Sequence, residues 1–300
     1  MKKLLALAII LVMLLGILPM NASAADPEVI FDDPIFENYI RERIDKPTGK
    51  IYASDVDEIG YIFVDKMGIS SLKGIEYMTN LYSLYCYNNN LAELDVSALV
   101  NLRSLDCAGN PMTKLDVTAC VALTSLTCRQ YWTENHLTEL NISGLSELER
   151  LDCSNNKLTE FDLSDSTKLV ELGCQNNNLT ELDLSGFTEL RRVHCEGNKL
   201  AKLDLSGCVN IWGLHCYDNE LTSLNLEGLS ELEGLYCGNN KLSALDITGN
   251  KKLEYVGLFG ERKPENFDEL LEMKNIGFSY NKNGSTDSYY SKKQIHQMSL

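Results

Sequence analysis

Apolar positions along most of this chain recur with a fixed period. From Leu169 to Ser185 the marked positions are Leu169, Leu172, Cys174, Asn177, Leu179, Leu182, Asp183, Leu184 and Ser185. The same order, L-x-x-L-x-C-x-x-N-x-L-x-x-L-D-L-S plus four linking residues, returns every 21 residues. Leu172 and Cys174 are two apart, so on a strand both point inward. Leu182 and Leu184 repeat that alternation and predict a second short extended stretch on the opposite wall. Leu169 and Leu179 close the coil between them. One unit cannot bury these side chains by itself. Stacked at about 4.8 Å per strand, neighbouring units bury them in one continuous column. A period of this length reads as a solenoid.

Two polar or thiol positions keep the same beat. Cys86, Cys107, Cys128, Cys153, Cys174, Cys195, Cys216 and Cys237 are 21 residues apart, except for a 25-residue step from Cys128 to Cys153. Three residues after each cysteine stands Asn89, Asn110, Asn156, Asn177, Asn198, Asn219 or Asn240; in the long unit, four extra residues move it to Asn135. These asparagines fall just past the strand, where the chain turns. Their amides offer donors and an acceptor to backbone groups that the turn leaves unpaired, which predicts an in-register ladder. An acidic series, Asp95, Asp116, Asp162, Asp183, Asp204 and Asp246, is interrupted by Asn141 and Asn225. Asparagine substitutes without its charge, so the expected role is backbone bonding in a turn, with cation binding as the alternative.

On these motifs the chain resembles secreted bacterial leucine-rich repeat proteins with cysteine-containing repeats, related to the internalin-like proteins. The resemblance covers about residues 63–262. It implies an α/β fold: a right-handed leucine-rich repeat solenoid, mostly parallel β, with an irregular convex side and small helical caps. The stretch from Ile69 to Tyr77 is similar to the first repeat of that family, with Phe63 and Asp65 in the leucine and cysteine places. At the other end Val256 and Leu258 take those places. About ten coils are expected, eight of them regular.

The flanks read differently. Residues 1–24 form a secretory signal: Lys2 and Lys3, an apolar run from Leu4 to Leu18, then Ala22-Ser23-Ala24 as a small-x-small cleavage site. Residues 25–62 form an N-terminal helical cap. A helix is expected over Pro34–Ile44, capped by Asp33, with Ile35, Phe36, Tyr39, Ile40 and Ile44 as its apolar face. A second short helix should begin at Ser54. The loop between them has a faint likeness to a calcium hand at Gly49 and Ile51, but its ligand places fall on Ile44 and Lys46, which argues against metal. Residues 263–300 form a C-terminal cap and tail, with a helix over Pro264–Lys274 carrying Phe267, Leu270 and Leu271, and a weakly ordered polar stretch from Asn281.

Charge narrows the partners. The chain has 43 acidic and 27 basic residues, a net charge of −16, which argues against nucleic acid and anionic membrane surfaces. No second apolar run could span a bilayer, so the mature protein is expected outside the cell, secreted or held at the surface. The ladder cysteines should be buried, reduced thiols, because parallel side chains do not give a disulfide torsion. Cys120 and Cys208 lie about four coils apart, or about 20 Å, too far to bridge. His194 precedes Cys195 and His215 precedes Cys216, but neighbours on a strand face opposite sides, so no dyad forms. The expected protein is not an enzyme and needs no cofactor.

The candidate binding surface is aromatic. Positions before the cysteines give His194, His215 and Tyr236; positions after them give Glu196, Tyr217, Gly238 and Phe259; Trp212 and Tyr255 stand at strand starts. Exposed aromatics on an ordered sheet are favoured binding anchors. The insertion between Arg129 and His136 should expose Tyr131 and Trp132 as a binding loop, with Trp132 folded back as a local plug the alternative. His194 and His215, with Glu196 or Asp218, could hold zinc, but stacked histidines read first as surface residues, and no metal is assigned. The function expected is an extracellular module that recognises a protein partner through its strand face and central insertion. The alternatives are a cell-surface spacer and the binding of a surface glycan.

Overall fold

The computed structural model describes residues 26–131, 137–258 and 277–279. The expected signal segment, Asn135, Trp132, Phe259, the helix expected over 264–274 and the tail lie outside the described residues. An eleven-stranded parallel sheet runs the length of the molecule in chain order, from Tyr61–Phe63 to Gly277–Ser279, each strand three residues long. Opposite it, Lys114–Asp116 pairs with Glu139–Asn141, and Glu181–Asp183 with Lys202–Asp204. These are the second extended stretches expected from the L-D-L segment. Between the two walls lies one core of stacked leucines and cysteines. The chain is a leucine-rich repeat solenoid.

The sheet begins at Tyr61 and takes up Gly277–Ser279, within the segment that the sequence reading gave to the C-terminal cap. The first coil also differs by one residue. Ile62 pairs with Leu84, and the buried Val64 stands two residues on, in the cysteine place. Phe63 and Asp65, which the 21-residue period put there, face outward. This first step is 22 residues long, as is the last, from Val256 to Phe278. A one-residue slip on a strand exchanges its faces.

The asparagine ladder forms as expected. Asn177 Nδ2 donates to Cys174 O at 3.0 Å and to Cys153 O of the preceding coil at 3.1 Å, and its Oδ1 accepts from Leu158 N at 3.0 Å. Asn198 repeats the set one coil on, with Cys195 O, Cys174 O and Leu179 N. The residue before each described ladder asparagine adopts positive φ, at Asn88, Gly109, Asn155, Asn176, Gly197, Asp218 and Asn239. That left-handed turn explains why only Asn, Asp or Gly stands there. The acidic series makes Asx turns: Asp183 Oδ1 accepts from Ser185 N at 2.8 Å, and Asn225 Oδ1 from Glu227 N at 3.0 Å. Asparagine can take this place because the turn needs an acceptor, not a charge.

All ten cysteines are free and buried. Cys120 and Cys208 donate to carbonyls of the preceding coil, Val96 O at 3.5 Å and Leu184 O at 2.9 Å. Burial raises the thiol pKa throughout, to about 11 at Cys120 and Cys208 and about 12 at Cys237. Native-state alkylation should therefore leave the cysteines almost unlabelled, and unfolding should expose all of them. Protection that survives denaturant and disappears only with reductant would mean disulfides. Cys174→Ser should cost about 1–3 kcal/mol, because a hydroxyl in that column has few partners.

The N-terminal cap closes the open end. Helix α1 spans Pro34–Arg43 and α2 spans Ala53–Val56. Phe36 and Ile40 face the core and Tyr39 and Ile44 pack at its edge, but Ile35 is exposed, off the predicted apolar face. Asp33 holds the cap in place. Its Oδ1 accepts from Ile35 N at 2.8 Å and Phe36 N at 3.2 Å, and its Oδ2 from Ser70 N at 2.7 Å and Ser70 Oγ at 2.8 Å. The Tyr39 hydroxyl accepts from Phe63 N at 3.1 Å, which satisfies a donor on the first strand's open edge. In the loop that bears a likeness to a calcium hand, Arg41 donates to Lys46 O at 3.1 Å and Gly49 O at 3.0 Å. A protein cation thus occupies those carbonyls.

Candidate functional site

The three-residue strands put their first and third residues on the outer face of the long sheet. Third residues in successive coils are Tyr85, Asp106, Thr127, Asp152, Gly173, His194, His215, Tyr236 and Gly257. Toward the C-terminal end this row becomes a column of rings. His194 and His215 are cross-strand partners, with ring centroids 4.2 Å apart. Tyr236 follows at 4.3 Å from His215, and Tyr255 lies 4.9 Å from Tyr236. Tyr255 starts its strand rather than ending it, so its contact with Tyr236 is diagonal. Gly234 and Gly257 pair with Tyr255 and Tyr236 and leave room for that crossing. Trp212, 37% exposed, lies over the Arg192 guanidinium at 4.3 Å from its ring.

Burial pushes the His215 pKa down to about 4, helped by the neighbouring His194, so this imidazole is neutral at physiological pH. His194 Nδ1 lies 3.6 Å from Glu196 Oε1. Of the two carboxylates considered with this pair, Glu196 joins it. Asp218 instead accepts from Asn239 Nδ2 at 2.6 Å.

The positions after the cysteines are less exposed than alternation predicts. Ala108, Ser154, Glu196 and Gly238 are buried, and Gln175 and Tyr217 half-buried. The strand ends at the residue before the cysteine, and the chain then turns, so the period-two rule stops one residue too early for this row. Tyr217, expected on the candidate face, stands half-buried in the turn after Cys216. Tyr131 folds back: its hydroxyl accepts from Arg129 Nη2 at 3.1 Å, and its ring packs near Gly109. The sequence expected it to project. Trp132 and Phe259 lie outside the described residues.

A second aromatic group went unread. Tyr61 and Phe63 are 40% and 51% exposed, with ring centroids 5.4 Å apart. Tyr85 stacks on Phe63 at 5.0 Å, and Arg43 lies 4.0 Å over the Tyr61 ring. The one-residue slip had assigned Phe63 to the core and hidden this group. Between the two aromatic ends the face is charged. Burial, with the nearby Asp65 and Asp152, raises the Asp106 pKa against its bond from Ala108 N and the charge of Arg129.

A family profile described as Leucine Rich Repeat matches residues 147–169. Among solved structures, the functional domain of InlJ from Listeria monocytogenes, described as including a cysteine ladder, is 28% identical, with a TM-score of 0.63 over 86% of this chain. The ladder of this chain, Cys86 to Cys237, is the matching feature. The chain is a leucine-rich repeat solenoid that resembles the bacterial internalins. Internalin C2 of the same organism is 27% identical, with a TM-score of 0.58 over 70% of this chain and 96% of its own length. YopM, a leucine-rich effector protein from Yersinia pestis, is 22% identical over 81% of this chain and 68% of its own, with a TM-score of 0.56, and shares the fold. This internalin-like chain spans 62% of the InlJ domain's length. No curated protein matches it. Among the described residues, no helix is long and apolar enough to cross a membrane.

Proposed function

We propose that this chain is an extracellular binding module that recognises a protein partner through the aromatic end of its strand face. Solenoids of this kind serve in general as protein-binding surfaces. The observation that carries the reading is the column His194–His215–Tyr236–Tyr255, with Trp212 beside it. Rigid rings on an ordered sheet lose little entropy on binding and present apolar area with polar tips. The central insertion is a second contact in this reading, through Trp132 with Tyr131 at its root. A binding rather than catalytic role fits the thiols as well. Cys195 is fully buried and its Sγ donates to His215 O at 3.4 Å, while His194 faces the other side of the strand.

The test compares variants for capture from host and bacterial surface extracts, then for affinity to the captured protein. Tyr236→Ala with Tyr255→Ala should weaken binding about thirtyfold or more, at roughly 1–2 kcal/mol per ring, with little change in folding. Thr188→Ala, on an exposed linker away from the sheet, should change nothing. Equal indifference to both changes would remove the aromatic face from the account. Capture of glycan instead of protein would favour carbohydrate recognition.

A further inference from the structure

We propose that His194, Glu196 and His215 form a binding site for a divalent transition ion, with Zn2+ as the physiological occupant. One donor atom from each of the three lies within 4.8 Å of the others, the only such group of three among the described residues. The arrangement combines a strand pair with the turn that follows it. His194 and Glu196 are two residues apart, and His215 is the cross-strand partner of His194. Two imidazoles and one carboxylate suit zinc, at about 2.0–2.2 Å per bond. Tetrahedral donors then stand roughly 3.3 Å apart. His194 Nδ1 and Glu196 Oε1 are 3.6 Å apart, and the stacked His194 and His215 rings, 32° between planes, would have to turn for their nitrogens to converge on one ion.

An independent observation points to a cation. Glu196 is 8% exposed, and its buried Oε2 has no hydrogen-bond partner among the described residues. A buried carboxylate oxygen without a donor is costly. Gln175 adds to the same demand. Its Oε1, also buried and without a partner among the described residues, leans over Gly173, the cross-strand neighbour of His194. A metal ion would answer the Glu196 oxygen directly. Three protein ligands leave a fourth coordination position for water or an outside donor. The proposal is independent of the partner-binding reading.

The experiment uses the full chain and the metal alone. Equilibrium dialysis should find one Zn2+ per chain at micromolar free metal. The Co2+-loaded chain should show tetrahedral d–d absorption without thiolate-to-metal bands, because the cysteines are buried. His215→Gln and Glu196→Gln should each weaken binding about tenfold or more, since even outer-shell partners of a metal are worth about 10–100-fold. Asp218→Asn should not. In the unmodified chain, of the four histidines only His194 and His215 should shift their imidazole NMR signals on adding Zn2+. No retained ion, thiolate bands, affinity unchanged in both variants, or shifts confined to His136 and His296 would each overturn the proposal.

Discussion

Asn177→Ala should destabilise the solenoid by about 3 kcal/mol, read as a fall in the urea midpoint at constant slope. The size follows from the ladder's wiring. Cys153 O keeps its bond from Asn156 and Cys174 O keeps its bond from Asn198, so neither carbonyl is abandoned. Leu158 N, buried and bound to Asn177 Oδ1, loses its acceptor outright. An orphaned buried amide costs about 1–3 kcal/mol, and the lost donations and small void add to it. Asn177→Asp should be worse than alanine. It keeps the acceptor for Leu158 but turns a carboxylate toward two carbonyls in a buried turn. An aspartate variant as stable as wild type would show that the amide's donors matter little.

The second large effect is at the cap. Asp33→Ala should cost about 2–4 kcal/mol, combining a lost helix cap with lost charge-assisted bonds to Ser70. Burial opposes ionisation of Asp33, but the bonds from Ser70, Phe36 and Ile35 outweigh it and hold the pKa below 3.8. With the folded value lowered, the unfolded chain binds the proton first as pH falls. The contribution is therefore complete above about pH 4–5 and is lost as pH drops through the folded value. Asp33→Asn should keep much of the cap, lose this acid dependence and fall between wild type and alanine. Chemical denaturation at neutral pH and near pH 3 checks both claims. If Asp33→Ala leaves stability unchanged at neutral pH, the cap is not held as described.

The regular coils were legible because their inward strand positions carry Leu or Cys, with Val193 as the aliphatic exception, and their described turns carry Asn. Period, core and ladder are all written in residue type. The ends were not, and Tyr61-Ile62-Phe63-Val64-Asp65 shows why. Both faces of that stretch carry apolar residues, so alternation alone cannot choose between them. The 21-residue period points to Phe63, while the chain uses a 22-residue step and buries Ile62. That slip concealed the N-terminal aromatic group. Glu196 was misplaced for a related reason. Strand logic exposed it, but the strand ends two residues earlier, at His194, and the turn buries it. Its unpaired oxygen, visible only in three dimensions, is what raises the histidine pair from surface residues to a metal site. By contrast, the ring column needed only the strand register, which the cysteines supply.

Oxidative footprinting of the unmodified chain, free and bound to its protein partner, tests the central claim most directly. The account predicts that His215, Tyr236, Tyr255 and Trp212 become protected from hydroxyl radicals in the complex, while Val121 and Val209, exposed on linkers away from the sheet, keep their reactivity. Protection confined to Val121 and Val209, with the ring column as reactive as in the free chain, would contradict it.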